Sequence, residues 1–361
     1  MSLSKVEAKI NGQIYGGWKE CDVRRSLKSL SGSFDLAITD RWSAHQKSWP
    51  IKRGDEAQIL VNGEPVVTGF VDMVKLSVSA TDKSIAISGR DKTCDMVDSS
   101  VDLNKSQFIN ISLPTIATQI AKQFGIKVIA QVAALGVIEV ASLQTGESAF
   151  EFLEKLARKK GVLLTTDGLG NLLITRPGHD RATTALVLGQ NLLTIDRIDD
   201  GIDRFSVYKV KGQGLGAQIQ NQTNPDQDFF VMGTAKDAGV LRYRPKIMLC
   251  ETGATTKEAM TRAQWEAKSR AAKGEPVSAT VQGWVQSDGK LWQPNQIVKV
   301  VAPWLNLNEE RLISEVSYHL SSSSGSIATL SLDRKDAFIP EPVTNEDPGL
   351  GGRIRQDRQG G

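Results

Sequence analysis

The sequence has few cysteines, few histidines, few aromatics and no dominant charge. Its three cysteines, Cys21, Cys94 and Cys250, are odd in number and far apart. That argues against a disulfide framework and for reduced thiols made in a cytoplasm. The three histidines, His45, His179 and His319, are too scattered for a typical zinc site. Lys and Arg number 44 against 41 Asp and Glu, a net charge of +3. Dedicated nucleic-acid binders normally carry a strong basic excess, so that class is disfavoured, although a local basic patch stays open. No apolar run reaches membrane-spanning length, so no membrane anchor is expected. The opening MSLSKVEAKI lacks the apolar core and cleavage site of a secretory signal. At 6% aromatic there is little material for a sugar-stacking cleft, though two carboxylates alone would suffice for glycoside hydrolysis.

What is present is a globular composition, 40% hydrophobic and 24% charged, over 361 residues. That is enough for two or more cores. The first ninety residues read as β. SFDLAITD alternates Phe34, Leu36 and Ile38 on one face, and AQILVNGEPVVTGFVDMV sets two apolar strands around Asn62-Gly63, a strong hairpin signal. KSIAISGRD adds a strand with Ile85 and Ile87 on one side.

The period then changes. SLPTIATQIAKQFG places Leu113, Ile116, Ala117, Ile120 and Phe124 on one helical stripe, with Ser112 as cap, Pro114 in the first turn and Gly125 as terminator. SAFEFLEKLARKKG is a second helix, with a Ser148/Glu151 capping box, buried Ala149, Phe152, Leu153 and Leu156, and Gly161 at its end. GVLLTTDGLGNLLITRP follows as a hairpin. β character returns in RFSVYKVKG, VSATVQGW, NQIVKVV, RLISEVSYHL and SIATLSLDR, interrupted by a helix at about 255–273. Thr255 and Glu258 form its capping box, and its thin stripe of Met260, Ala263, Ala267 and Ala271 suits light packing on a surface. PEPVTNEDPGLGGRIRQDRQGG reads as a flexible tail.

The fold class expected is α+β, mainly β. The domains are a first β-barrel at 1–90, an α/β module at 91–180, a second β-barrel at 181–335 with the inserted helix, and a tail at 336–361. A short internal repeat supports two related barrels. FVDMVKLSVSATDKSIAISGRDK and ISEVSYHLSSSSGSIATLSLDRK are each a strand, a polar turn, SIA, an alternating strand and a charged end.

Three stretches invite a chemical reading. In GRDKTCDMVD and beyond, Asp91, Asp95, Asp98 and Asp102 are spaced four, three and four apart and would share one helical face. Cys94, Val97 and Val101 make an apolar stripe beside them, so the row reads as the wet side of an amphipathic turn, and Cys94 as a small buried hydrophobe. DRIDDGIDR, Asp196 to Arg204, fails the calcium-loop pattern at Ile198 and Val207 and reads as an acidic loop. GQGLG, Gly212 to Gly216, lacks the following helix of a dinucleotide site and reads as a hairpin loop. There is no Walker A and no GxSxG elbow. No catalytic, cofactor-binding or metal residue is assigned. GRDKTCDMVD is instead expected to be a charged joint, set by Arg90, Asp91 and Lys92, with LDRKD (Leu332 to Asp336) closing the second barrel.

SGRDKTCDMVD, VLGQNLLTID with the following DRFSVYKVKG, LRYRPKI and GWVQSDGKLWQPN (Gly283 to Asn295) occur in an order and spacing that resemble the tail baseplate hub proteins of bacteriophage Mu and Mu-like prophages. The resemblance spans about residues 1–340 and departs mainly in the loop 213–232 and the tail. It implies a non-enzymatic hub, shared in architecture with the T4 hub and the N-terminal part of type VI secretion spike proteins. It implies a homotrimer of two-barrel chains, a pseudo-sixfold ring between a hexameric tail tube and a trimeric spike protein. The ring would nucleate the tube, contact tube-initiator and other baseplate proteins, and pass DNA only as transient cargo. Its place would be the virion tail baseplate, assembled in the host cytoplasm. Two rival functions are weighed beside it: a hub-associated peptidoglycan hydrolase and a nucleic-acid-binding protein.

Overall fold

The computed structural model describes residues 5–41, 50–79, 82–103, 106–213, 230–250 and 255–342. The chain opens with strands β1 (Val6–Ile10), β2 (Gln13–Tyr15), β3 (Glu20–Ser26), β4 (Ser33–Arg41), β5 (Glu56–Val61), β6 (Glu64–Val78) and β7 (Asp82–Asp91). The next stretch holds a short helix α1 (Cys94–Asp98), β8 (Gln107–Ser112), α2 (Leu113–Ala121), β9 (Val128–Ala130), β10 (Val137–Ser142), α3 (Ala149–Lys159), β11 (Leu163–Thr166) and β12 (Leu172–Thr175). Then come β13 (Asp180–Arg181), β14 (Leu186–Val187), β15 (Leu192–Arg197), β16 (Val207–Gln213), β17 (Phe230–Lys236), β18 (Pro245–Leu249) and α4 (Thr256–Lys273). The last strands are β19 (Val277–Gln282), β20 (Gln296–Ala302), β21 (Leu307–Ser321) and β22 (Gly325–Asp333). The fold is α+β and mainly β.

Local chemistry explains the elements. Asn62 and Gly63 both have positive φ, 52° and 84°, the conformation a two-residue type I′ turn needs between β5 and β6. Ser112 Oγ accepts from Thr115 N–H at the start of α2, and the capping boxes Ser148/Glu151 and Thr255/Glu258 are both formed. Gly125 and Gly161 take left-handed backbone where their helices end.

Contacts divide the chain into two units, Met1–Arg197 with Pro276–Lys335, and Ile198–Glu275 with Asp336–Gly361. In the first unit β21 pairs antiparallel with β3, so strands from the N-terminal and C-terminal β segments form one sheet of 14 strands. Its path runs β15-β19-β22-β21-β3-β4-β7-β6-β5-β1-β2, with β20 on β21 and β13 and β14 on β20. One apolar core lies under both segments. Phe34, Leu36, Ile59 and Val67 come from the first, and Trp284, Trp292, Val316 and Leu330 from the second. GWVQSDGKLWQPN is part of that core. Trp284 Nε1 donates to the His319 and Ile327 carbonyls, and Tyr318 donates its hydroxyl proton to the Trp292 carbonyl. A second core in the same unit joins α2 and α3 to the two-stranded sheet β10-β8 and the sheet β11-β12-β9.

The second unit is a three-stranded sheet, β17-β16-β18, covered on one face by α4. RFSVYKVKG is a strand, as its pattern predicts, but it pairs with β17 and β18 and not within the long sheet. The α4 stripe is also displaced from Met260, Ala263, Ala267 and Ala271. Ala259, Ala263 and Ala267 face Tyr208 and Val210, while Met260 is exposed and Ala271 only half-buried. The reason is close approach: a Cβ on Gly233 of β17 would lie 2.1 Å from the Ala259 carbonyl carbon, so only small residues fit between helix and strand. Residues expected in a free tail also pack on α4. Trp265 Nε1 donates to the Ile339 carbonyl at 2.8 Å, and Arg262 pairs with Glu341. The rest of the expected tail, 343–361, and most of the loop 213–232 lie outside the described residues.

Candidate functional site

The Asp row of the sequence does not form one helical face. Asp91 ends β7, α1 is only five residues long, and Asp102 lies beyond it. Asp91 is 1% exposed, not on a solvated face. Its Oδ2 accepts from Gly32 N–H at 2.7 Å and Thr166 Oγ1 at 3.1 Å. Its Oδ1 accepts from Thr93 N–H at 2.9 Å, from the Thr93 hydroxyl, and from Ser31 Oγ at 3.4 Å. Burial pushes the carboxyl above the usual carboxylate range, and the hydrogen bonds from Thr93, Gly32 and Thr166 pull back against it. One carboxylate thus ties the β3–β4 turn, the end of β7 and the hairpin strand β11 together. Beside it Arg25 Nη2 donates to the Thr166 carbonyl at 2.6 Å. Asp98 and Asp72 both pair with Arg90 at 2.8 Å. The apolar side of α1 is Cys94 and Met96, with Val97 exposed, because five residues make little more than one turn.

The other candidates stay apart. Burial drives the thiols of Cys21 and Cys94 up to about 12, and raises that of Cys250, so each is held as a protonated thiol. His179 contacts its neighbour Asp180, and His319 lies 3.4 Å from Asp22. His45 and Gly214 to Gly216 lie outside the described residues. In DRIDDGIDR, Arg204 chelates Asp237 through two 3.0 Å bonds and reaches Glu275 at 3.4 Å, a link no local pattern announces. Among the described residues no group of three or more His, Cys, Asp or Glu side chains could hold a metal ion.

What the long sheet offers instead is surface. Across β22, β21, β3, β4, β7 and β6, its open face carries a shallow groove of about 550 Å³ lined by Asp22, Asp35, Met73, Ser88, His319 and Thr329. Burial raises the Asp35 carboxyl, and the negative charge of Asp22 raises it further. Two backbone edges complete the surface. β5 pairs with β6 only as far as Phe70, so Met73–Val78 pairs with β7 alone among the described residues. Among the described residues β15 pairs with β19 alone. Met73, Leu76 and Val78 at the first edge and Leu193 at the second are exposed.

Solved structures of phage tail proteins share this architecture. The 43 kDa tail protein of prophage MuSo2 from Shewanella oneidensis superposes with a TM-score of 0.83 at 34% identity, over 94% of this chain and 100% of that one. A tail protein of Neisseria meningitidis gives 0.79 at 19% identity, over 94% and 99%. An Escherichia coli component of the type VI secretion system, described as similar to the T4 tail proteins gp27 and gp5, shares the fold at a TM-score of 0.56 and 12% identity, over 90% and 76%. Family models match three stretches. They are the N-terminal domain of the Mu phage baseplate assembly protein GpP-like family at 5–91, the second domain of baseplate hub protein gp44-like at 93–176, and the fourth domain of GpP at 255–341. Baseplate hub protein gp44 of Escherichia phage Mu is 31% identical over 364 residues, covering 99% of this chain and 92% of that protein. The chain belongs to the baseplate hub family of Mu-like phage tails.

Proposed function

We propose that three copies close into a pseudo-sixfold ring that adapts a sixfold tail tube to a threefold spike and nucleates the tube. One observation carries this: the long sheet reads as two similar sets of four strands. β15-β19-β22-β21 is followed by β3-β4-β7-β6, antiparallel throughout. The repeated sequences fall on the hairpins β6–β7 and β21–β22. Each hairpin carries one bulge on its first strand, at Asp72 and at Ser314. The two sets meet where β21, just past its bulge, pairs through Glu315–Leu320 with β3. The corresponding stretch of β6, Met73–Val78, is the free edge, and the counterpart of β3 is β15, the other free edge. A junction of β6 with β15 of the next copy would repeat the junction within the chain. Three chains of two sets give six repeats and leave no edge.

The open face of the two sets would then line the channel. Ser84, Ser88, Ser278, Thr280, Thr329 and Ser331 give it a small polar surface, with Asp22 and Asp35 among them. Arg24, Lys75 and Arg90 share that face with Glu20, Asp22, Asp35 and Glu315, so its charge is mixed and not a basic stripe, which suits DNA as transient cargo. The role is mechanical, with no catalytic step assigned to any residue, and assembly takes place in the host cytoplasm before the hub enters the virion. Light scattering and electron micrographs of the purified chain test the ring. A mass of three copies and annular particles are expected, and a monomer that persists at high concentration would sink the reading.

A further inference from the structure

Among the described residues, the second unit covers one face of its sheet. α4 packs over Tyr208, Val210 and Gly233. The alternate residues point the other way, and the strand registers arrange them in rows across β17, β16 and β18. The rows are Lys236–Val207–Pro245, Thr234–Lys209–Ile247 and Met232–Lys211–Leu249. Ile247 is 58% exposed and Leu249 78%, so an aliphatic stripe runs along β18. A basic stripe of Lys209 and Lys211 runs beside it on β16, with Lys236 diagonal to Lys209. No acidic side chain stands in these rows.

We propose that this face docks an acidic amphipathic segment of another protein of the tail. Charge complementarity chooses the occupant. Lysines on neighbouring positions of one sheet face stand about 5–7 Å apart and repel one another. A partner supplying carboxylates relieves that repulsion, and its apolar side would cover Ile247 and Leu249. A nucleic acid fits less well: the rows hold no Arg and no aromatic ring, and aliphatic side chains offer phosphates nothing. A second copy of the hub would have to bring an acidic stripe of matching spacing.

The proposal rests on family membership only for the source of the partner, an assembled tail. Zero-length carbodiimide coupling on purified tails, read by mass spectrometry, tests it. At least two of Lys209, Lys211 and Lys236 should form amides with Asp or Glu of one segment of another tail protein. Couplings only to carboxylates of the hub chain would overturn the proposal. So would lysines as reactive to an amine label in tails as in the isolated hub, or protection abolished by nuclease. The variant Lys209→Glu/Lys211→Glu/Lys236→Glu, all surface changes, should melt within a few degrees of the parent and keep the parent's oligomeric mass. It should lose the coupled protein from the particle at least tenfold, and Ile247→Asp/Leu249→Asp should do the same. Retention of that protein by both variants would overturn the assignment. Failure of the parent hub to form a ring bears on the ring reading and is read from mass alone.

Discussion

At the scale of single residues, Asp91 changes most between sequence and structure. Its neighbours in the chain are charged and invite a solvated or catalytic role. Its neighbours in space are the N–H groups of Gly32 and Thr93 and the hydroxyls of Ser31, Thr93 and Thr166. Gly32 and Thr166 lie far from it in sequence, so its burial could not be read from a window of ten residues. Each oxygen of Asp91 accepts from one backbone N–H, so in Asp91→Asn the amide must turn donor on donor in either orientation. A loss of about 1–3 kcal/mol is expected from a urea titration. The pH dependence has a definite sign. The folded carboxyl is raised above its ordinary 3.8, so its contribution to stability is fully present below that value and is lost as pH rises through the folded pKa. The advantage of the parent over Asp91→Asn should therefore be largest in acid and shrink across that window. An advantage that grows with pH would contradict the burial argument. Gly63 is the opposite case, legible from two letters of sequence. A methyl group there meets nothing within 4 Å, so Gly63→Ala should cost only the strain of positive φ, about 1–2 kcal/mol in thermal melts.

At the scale of elements, period and caps located α2, α3 and α4 and half of the 22 strands among the described residues, because those signals are local. What they left out is pairing. Ala259 rather than Met260 faces the sheet because Gly233, in a different element, lets the helix backbone come down on β17. Non-local pairing likewise places RFSVYKVKG in a separate small sheet, and buries the two tryptophans of GWVQSDGKLWQPN. The family-specific motifs were visible as a resemblance, yet their physical work is packing. Gly233→Val should overpack this contact and lift α4, at a cost of about 1–3 kcal/mol. Hydrogen exchange should show it, with amides of β16 and β17 losing protection while those of β3, β4 and β7 keep theirs. Uniform loss across the long sheet would mean that the two units do not unfold separately.

At the scale of the whole molecule the question is what covers two sheet edges that carry exposed Met73, Leu76, Val78 and Leu193. Long apolar edges are pairing templates, and Lys placed on them blocks pairing. Leu76→Lys/Val78→Lys should spoil the β6 edge and Leu193→Lys the β15 edge, each leaving a folded monomer. Ile14→Lys, equally exposed but on β2 at the far end of the sheet path, should leave the trimer intact. The mixing experiment is sharper. A chain with a spoiled β6 edge still has a good β15 edge, and the reverse variant still has a good β6 edge. Mixed together they can form one junction and no second, so the product should be a dimer containing one copy of each. Native mass spectrometry reads that composition directly. Trimers from either variant alone, or a mixture that stays monomeric, would show that the ring closes through some other surface.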